Sequence, residues 1–235
     1  SSFFNAGIWV KTGSRHEDAQ HSGLAHLCEH MTFKGTPARS EIELNDAIAD
    51  IGGSSEAWTD SSATSFCLEV PCESREFAVS LLADIIQNSS FSPEDIRLEK
   101  QVIRQEMIED ENDDEDLFDD EFSKLVYGAQ SLSQDILGTP ETLDNFTRQD
   151  LTAFRDRNYV GANMVLSASG NIAHEEITAL AKKYFSNLPK GQAPSILRPA
   201  ISADLNISAR KTKRQKSGWD LTSIPAADIW ILPKF

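Results

Sequence analysis

The run His26-Leu27-Cys28-Glu29-His30 is followed, 76 positions after His30, by Glu106 within Val102-Ile103-Arg104-Gln105-Glu106-Met107. A chain that uses these groups together must bring two distant segments to one point, which restricts its fold more than any bulk property does. On a helix each residue advances about 100°, so positions 26, 29 and 30 fall at roughly 0°, 300° and 40° and share one face. Cys28 falls near 200° by the same step, so it points away from that face, toward the core. Histidines at i and i+4 can hold one ion, while Glu29, one position before the second histidine, reaches a water beside it. This is the inventory of a catalytic zinc site with His26 and His30 as ligands. Such a site takes three protein ligands plus water, and Glu106 is the best candidate for the third.

Both segments read as helices on independent grounds. Ser22 is a plausible N-cap for the first, Leu24, Leu27, Cys28 and Met31 form its apolar stripe, and Lys34-Gly35-Thr36-Pro37 ends it. The second opens with Ser92 as N-cap, Pro93 at the first helical position and Asp95 three after the cap. Glu99 lies seven residues before Glu106, about 20° off the same face. There it either hydrogen-bonds a ligand histidine from behind or is simply solvated.

Elsewhere, Ser40-Glu41-Ile42-Glu43 is a capping box for a helix ending at Gly52-Gly53, and a strand pair should follow. Thr64 through Val70 alternates as a strand closed by Pro71, and Phe77, Ala78, Leu81, Leu82 and Ile85 repeat at helical spacing. Thr139-Pro140-Glu141 and Thr147-Arg148-Gln149-Asp150 open two short helices, Asn163 to Gly170 reads as a buried strand, and a helix runs from about His174 to Phe185. Strands and helices mixed without strict alternation predict an α+β fold: a mixed, mainly antiparallel sheet with helices packed on one face.

The 235 residues carry a formal charge of −15, which disfavours nucleic-acid partners, and no stretch is apolar enough to span a membrane. Ten of the thirteen residues from Glu109 to Glu121 are acidic. They form either a solvated helix or loop or a surface for basic substrate segments. Cys28, Cys67 and Cys72 are an odd and sparse set. They argue against a disulfide framework and for a reducing interior, so the cytoplasm is the expected compartment, with the mitochondrion or the periplasm as alternatives. The opening residues read as a strand already inside a fold, so a start within a longer protein is expected. After about Arg198 the character changes to a basic run, Arg210 to Lys216, and an apolar ending, read as a tail without an assigned function.

The chain resembles the pitrilysin-type zinc peptidases, the inverted-motif group that includes the mitochondrial processing peptidase. The resemblance rests on Gly7 to Arg15, Gly23 to Thr36, Gln101 to Glu106, Ile136 to Glu141 and Asn163 to Gly170. It departs at Glu56, where the family usually has Asn, and at Cys28, where a leucine is commoner. The resemblance implies one Zn2+ per chain on His26, His30 and Glu106, Glu29 as general base, and Glu99 as the family's additional glutamate. It also implies an extended peptide substrate lying along an edge near Ala57-Trp58-Thr59. Residues 1–197 would be the N-terminal catalytic domain and residues 198–235 a divergent tail in place of the second domain. A second homologous domain or subunit is expected as partner. The expected activity is metalloendopeptidase hydrolysis; the alternative is a zinc-binding, peptide-gripping subunit that cuts only with that partner.

Overall fold

The computed structural model describes residues 2–195 and 199–200. Four strands, β1 (Phe3–Val10), β2 (Ser54–Thr59), β3 (Thr64–Pro71) and β4 (Met164–Gly170), form one sheet in the order β2-β3-β1-β4. All three pairings are antiparallel, so the mixed, mainly antiparallel sheet expected from the sequence is wholly antiparallel among the described residues. Eight α-helices accompany it among those residues: α1 (Leu24–Thr32), α2 (Glu41–Asp50), α3 (Arg75–Asn88), α4 (Pro93–Asp110), α5 (Asp114–Tyr127), α6 (Pro140–Asn145), α7 (Arg148–Asn158) and α8 (His174–Phe185). The fold is α+β.

The period of two in the strands decides which face the helices cover. Phe4, Ala6, Ile8 and Val10 of β1 stand opposite Val70, Leu68, Phe66 and Thr64 of β3, and all are buried. Against this face pack α1 and α3, whose Leu27, Met31, Leu81, Leu82 and Ile85 join the same core. The opposite face carries Phe3, Asn5 and Trp9 of β1, Trp58 of β2 and Val165 of β4, all exposed. Strand β4 therefore differs from the buried strand expected. Its Val165, Ser167 and Ser169 share the uncovered face, and only Met164, Leu166 and Ala168 turn toward the core.

Local chemistry explains where the helices begin. Ser40 and Glu43 cap α2 reciprocally, and the hydroxyls of Thr139 and Thr147 accept from backbone N–H groups at the starts of α6 and α7. Helix α4 starts as its sequence predicts: Ser92 accepts from the Asp95 N–H and Pro93 occupies the first turn. Phe91 and Ile96, at the two positions of a hydrophobic staple, are both buried. Helix α1 does not start as expected. Its N-cap is Gly23, in the left-handed region with φ of 95°, while the Ser22 hydroxyl donates to the Asp135 carbonyl instead. The N–H groups of Gly23 and Ala25 donate to the buried carboxylate of Glu17, at 2.9 and 2.5 Å. Glu17 thus takes the place of the serine cap, its side-chain oxygens accepting from the first-turn N–H groups. No helix among the described residues is long and apolar enough to cross a membrane. The basic run and apolar ending noted in the sequence lie outside the described residues.

Candidate metal centre

Helices α1 and α4 pack side by side, and their facing surfaces carry the residues singled out by spacing. The His26 and His30 rings stack edge to face with centroids 4.5 Å apart. The Glu106 Oε2 atom lies 4.0 Å from His26 Nε2 and 3.7 Å from His30 Nε2. One ligand atom from each of the three residues lies within 4.8 Å of the other two. Tetrahedral ligands about 2.0–2.1 Å from a zinc ion are separated by about 3.3 Å, so the trio is slightly open relative to a closed zinc shell. Glu106 Oε2 is buried without a hydrogen-bond partner among the described residues, and both imidazole nitrogens facing it are too far to donate. A buried carboxylate oxygen left unpaired between two imidazoles is costly for the protein alone and suits a cation. The donor set of two imidazoles and one carboxylate is one zinc accepts.

The groups behind the histidines are unequal. The His30 Nδ1 is 3.0 Å from Glu99 Oε2, and Lys34 Nζ bridges the other Glu99 oxygen and Glu41 at 2.7 Å each. His26 Nδ1 is buried without such a partner among the described residues. Burial, reinforced by the charge of His30, pulls the His26 imidazole down to about 3 and keeps it neutral. Burial pulls His30 down as well, but the bond to Glu99 and the charges of Glu106 and Glu29 outweigh it and hold His30 above its ordinary value. Glu99 resists its own burial and stays below the usual carboxylate range because His30 and Lys34 both donate to it. Glu29 is 8% exposed, and burial raises it despite a hydrogen bond from Thr59 Oγ1 at 2.8 Å.

These groups open into a cleft of about 860 Å³. His26, Glu29 and His30 line it, and Ala57 through Ser61 form one side. Asp110, Glu111, Asp116, Asp119 and Asp120, from the end of α4 and from α5, line it too, together with Asp135. The acidic block is therefore largely helical and turns part of its charge into the cleft. Burial and neighbouring acids raise Asp110, and burial lifts Asp135 to about 6. Along β2, register places Ala57 and Thr59 on the helix-covered face, whereas Trp58 turns outward against Trp9 with ring centroids 5.5 Å apart. Thus His26, Glu29, His30, Glu99, Glu106 and Thr59 come together in the structure, while the Trp58 side chain stands on the other face. Cys28 is fully buried and burial pushes its thiol up to about 12.

Sequence reasoning passed over Glu17 and Lys34. Lys34 lies two residues past Thr32, the last residue of α1, so helical spacing does not place it beside Glu99. Glu17 had a weak signal: an acidic residue in the loop before a helix whose cap position holds glycine.

The fold and this inverted His-x-x-Glu-His face define the molecule as a zinc-peptidase-like α+β domain. The family described as insulinase, peptidase family M16, matches residues 1–140, and the one described as the peptidase M16 inactive domain matches residues 145–222. The chain belongs to the peptidase M16 family. It is 38% identical over 188 residues to a Rickettsia felis protein named "uncharacterized zinc protease", covering 80% of this chain and 46% of that one. It is 35% identical over 193 residues to the human mitochondrial-processing peptidase subunit beta, covering 81% and 40%. The chain spans about half the length of the curated relatives it matches. Among solved structures, a Helicobacter pylori protease superposes with a TM-score of 0.77 at 22% identity, over 86% of this chain and 49% of that one. Pitrilysin does so with a TM-score of 0.77 at 24% identity, over 86% and 22%.

Proposed function

We propose that this chain carries the hydrolytic site of a zinc metalloendopeptidase acting on extended peptides, with one zinc ion held by His26, His30 and Glu106. The observation that carries the reading is the approach of the Glu106 carboxylate to both imidazoles, with Glu29 beside them in the same cleft. A bound zinc ion would polarise the scissile carbonyl and acidify water toward a pKa of ~7. Glu29 takes the proton from the attacking water and returns it to the leaving amine. Glu99, kept ionised by Lys34, holds the His30 ring so that its Nε2 faces Glu106.

The free side of β2 is the edge of the sheet, since β2 pairs only with β3 among the described residues. A peptide added there by main-chain hydrogen bonds would run past Ala57, Trp58 and Thr59 toward Glu29. The aspartates across the cleft favour basic side chains in that peptide. The odd and sparse set of three cysteines fits a reducing compartment, the cytoplasm.

A second reading has its own support: the chain matches about half of its relatives, and residues 145–222 match a domain described as inactive. On that reading the chain holds zinc and grips peptide but cuts only beside a second homologous domain or subunit.

Metal analysis and turnover of an unstructured peptide, by this chain alone and together with a second homologous domain or subunit, separate these readings. One zinc per chain with chelator-sensitive cleavage in both supports the first reading; cleavage only beside that second domain or subunit supports the second. Full peptidase rate in Glu29→Gln defeats the assignment of the base.

A further inference from the structure

We propose that the Thr59 hydroxyl is the positioning group for the Glu29 carboxylate, so that the strand offered to a peptide backbone also aims the base. The proposal rests on the peptidase reading above and adds a residue whose side chain was assigned only to substrate contact.

Thr59 closes β2 opposite Thr64, on the face that α1 covers, and its Oγ1 lies 2.8 Å from Glu29 Oε2. A hydroxyl has a single proton to give. Two acceptors stand near it: Glu29 Oε2, and Thr64 Oγ1 at 3.4 Å. The Thr64 proton is itself committed to the Thr12 carbonyl at 2.9 Å, so Thr64 does not donate back. The shorter, charge-assisted bond takes the Thr59 proton, and the direction of donation is fixed toward Glu29.

The support behind this bond is rigid. Thr12 and Thr64 are each 1% exposed. The Thr12 hydroxyl is held by Asn158 at 3.3 Å and Asn163 at 2.9 Å, both buried. A glutamate has three side-chain torsions, and no other donor to Glu29 is recorded among the described residues. Tying Oε2 leaves Oε1 as the oxygen that faces reacting water, which is the orientation a general base needs. Because the tie starts from the last residue of the edge strand, displacing β2 also displaces the base.

Valine matches the shape of threonine without the donor, and serine keeps the donor. In the zinc-loaded protein, beside its partner domain or subunit where turnover requires one, Thr59→Val is expected to lower kcat for a quenched unstructured peptide ~10-fold, with KM and zinc content unchanged. Thr59→Ser is expected to recover most of that loss. If Thr59→Val does not fold, Thr59→Ala makes the same comparison. Independently of turnover, a Thr59→Val/Glu29→Leu double-mutant cycle on the urea unfolding midpoint is expected to be non-additive, since leucine cannot accept the hydroxyl proton and the bond is lost only once. Wild-type kcat in Thr59→Val, failure of Thr59→Ser to recover kcat, a loss of zinc parallel to the loss of rate, or an additive cycle would each overturn the proposal. Wild-type protein with one zinc and no turnover would instead defeat the peptidase reading, and the unfolding cycle then decides the Thr59–Glu29 contact alone.

Discussion

Glu17 touches no substrate position, yet it holds the first turn of the helix that presents His26, Glu29 and His30. Its two oxygens accept from the Gly23 and Ala25 N–H groups, but burial dominates and lifts the carboxyl to about 8 from an ordinary 4.5. Raised above its unfolded value, the group holds a proton in the folded chain that the unfolded chain has released between those two pH values. Its contribution to stability is complete below about pH 4.5 and is lost as pH rises through about 8, at no more than ~1.4 kcal/mol per pH unit. Urea titrations of metal-free protein from acidic to mildly alkaline pH should show this slope in wild type and its removal in Glu17→Gln. Parallel curves for the two proteins would refute the assignment. At the other end of α1, Lys34→Met leaves Glu99 without its cation and is expected to weaken zinc binding ~10-fold, read by competition with a chelating dye. The residues that were legible from spacing, His26, Glu29, His30 and Glu106, are those whose geometry follows from one helix or from a required ligand count. Glu17, Lys34 and Thr59 act across a loop, between helices and across the sheet, and no local period announces such contacts.

Helix starts divide the same way. Ser40, Ser92, Thr139 and Thr147 cap through their own side chains and could be read directly; Gly23 could not, because its role depends on a contact with a segment over a hundred residues away. A Cβ on Gly23 would stand 2.4 Å from the Leu137 carbonyl oxygen, and one on Gly138 would stand 2.2 Å from the Ser22 carbonyl oxygen. Both have positive φ, so the approach and the backbone conformation demand glycine together. Gly23→Ala should therefore cost ~1–3 kcal/mol of stability and also weaken zinc binding, because the first turn of α1 must shift. Ser92→Ala, at the start of the helix bearing Glu106, removes one side-chain cap and should cost ~1 kcal/mol, with zinc affinity nearly kept. Calorimetry of the two variants with and without zinc distinguishes a helix that is repositioned from one that is merely frayed. The misreading of β4 has a physical origin as well. Met164-Val165-Leu166 looks continuous and apolar, but a sheet covered on one face buries only alternate residues, and Val165 is 47% exposed.

At the scale of the molecule, the charge of −15 is not spread evenly with respect to the cleft. Asp110, Asp116 and Asp120 line it from α4 and α5, and burial, reinforced by the charge of Asp116 and other nearby acids, raises both Asp110 and Asp120. Carboxylates that repel one another in a confined wall gain most from a cation placed among them, and an arginine or lysine of a bound peptide can supply it. The sequence located the acidic block but left open whether it was solvated or faced a ligand, because its direction depends on which residues of α4 and α5 line the cleft. If the wall acts on substrate, it does so through long-range attraction as well as contact. Raising salt from 0.1 to 1 M shortens the screening length from about 10 to 3 Å, and kcat/KM for an arginine-bearing peptide should fall ~10-fold. A peptide of the same length with glutamine in place of arginine should change little over that range. Asp116→Asn combined with Asp120→Asn should abolish most of the difference between the two peptides while leaving zinc content intact. Equal salt dependence for both peptides in wild type would mean that the wall is only solvated charge, and the preference for basic segments would then have to be withdrawn without disturbing the zinc assignment.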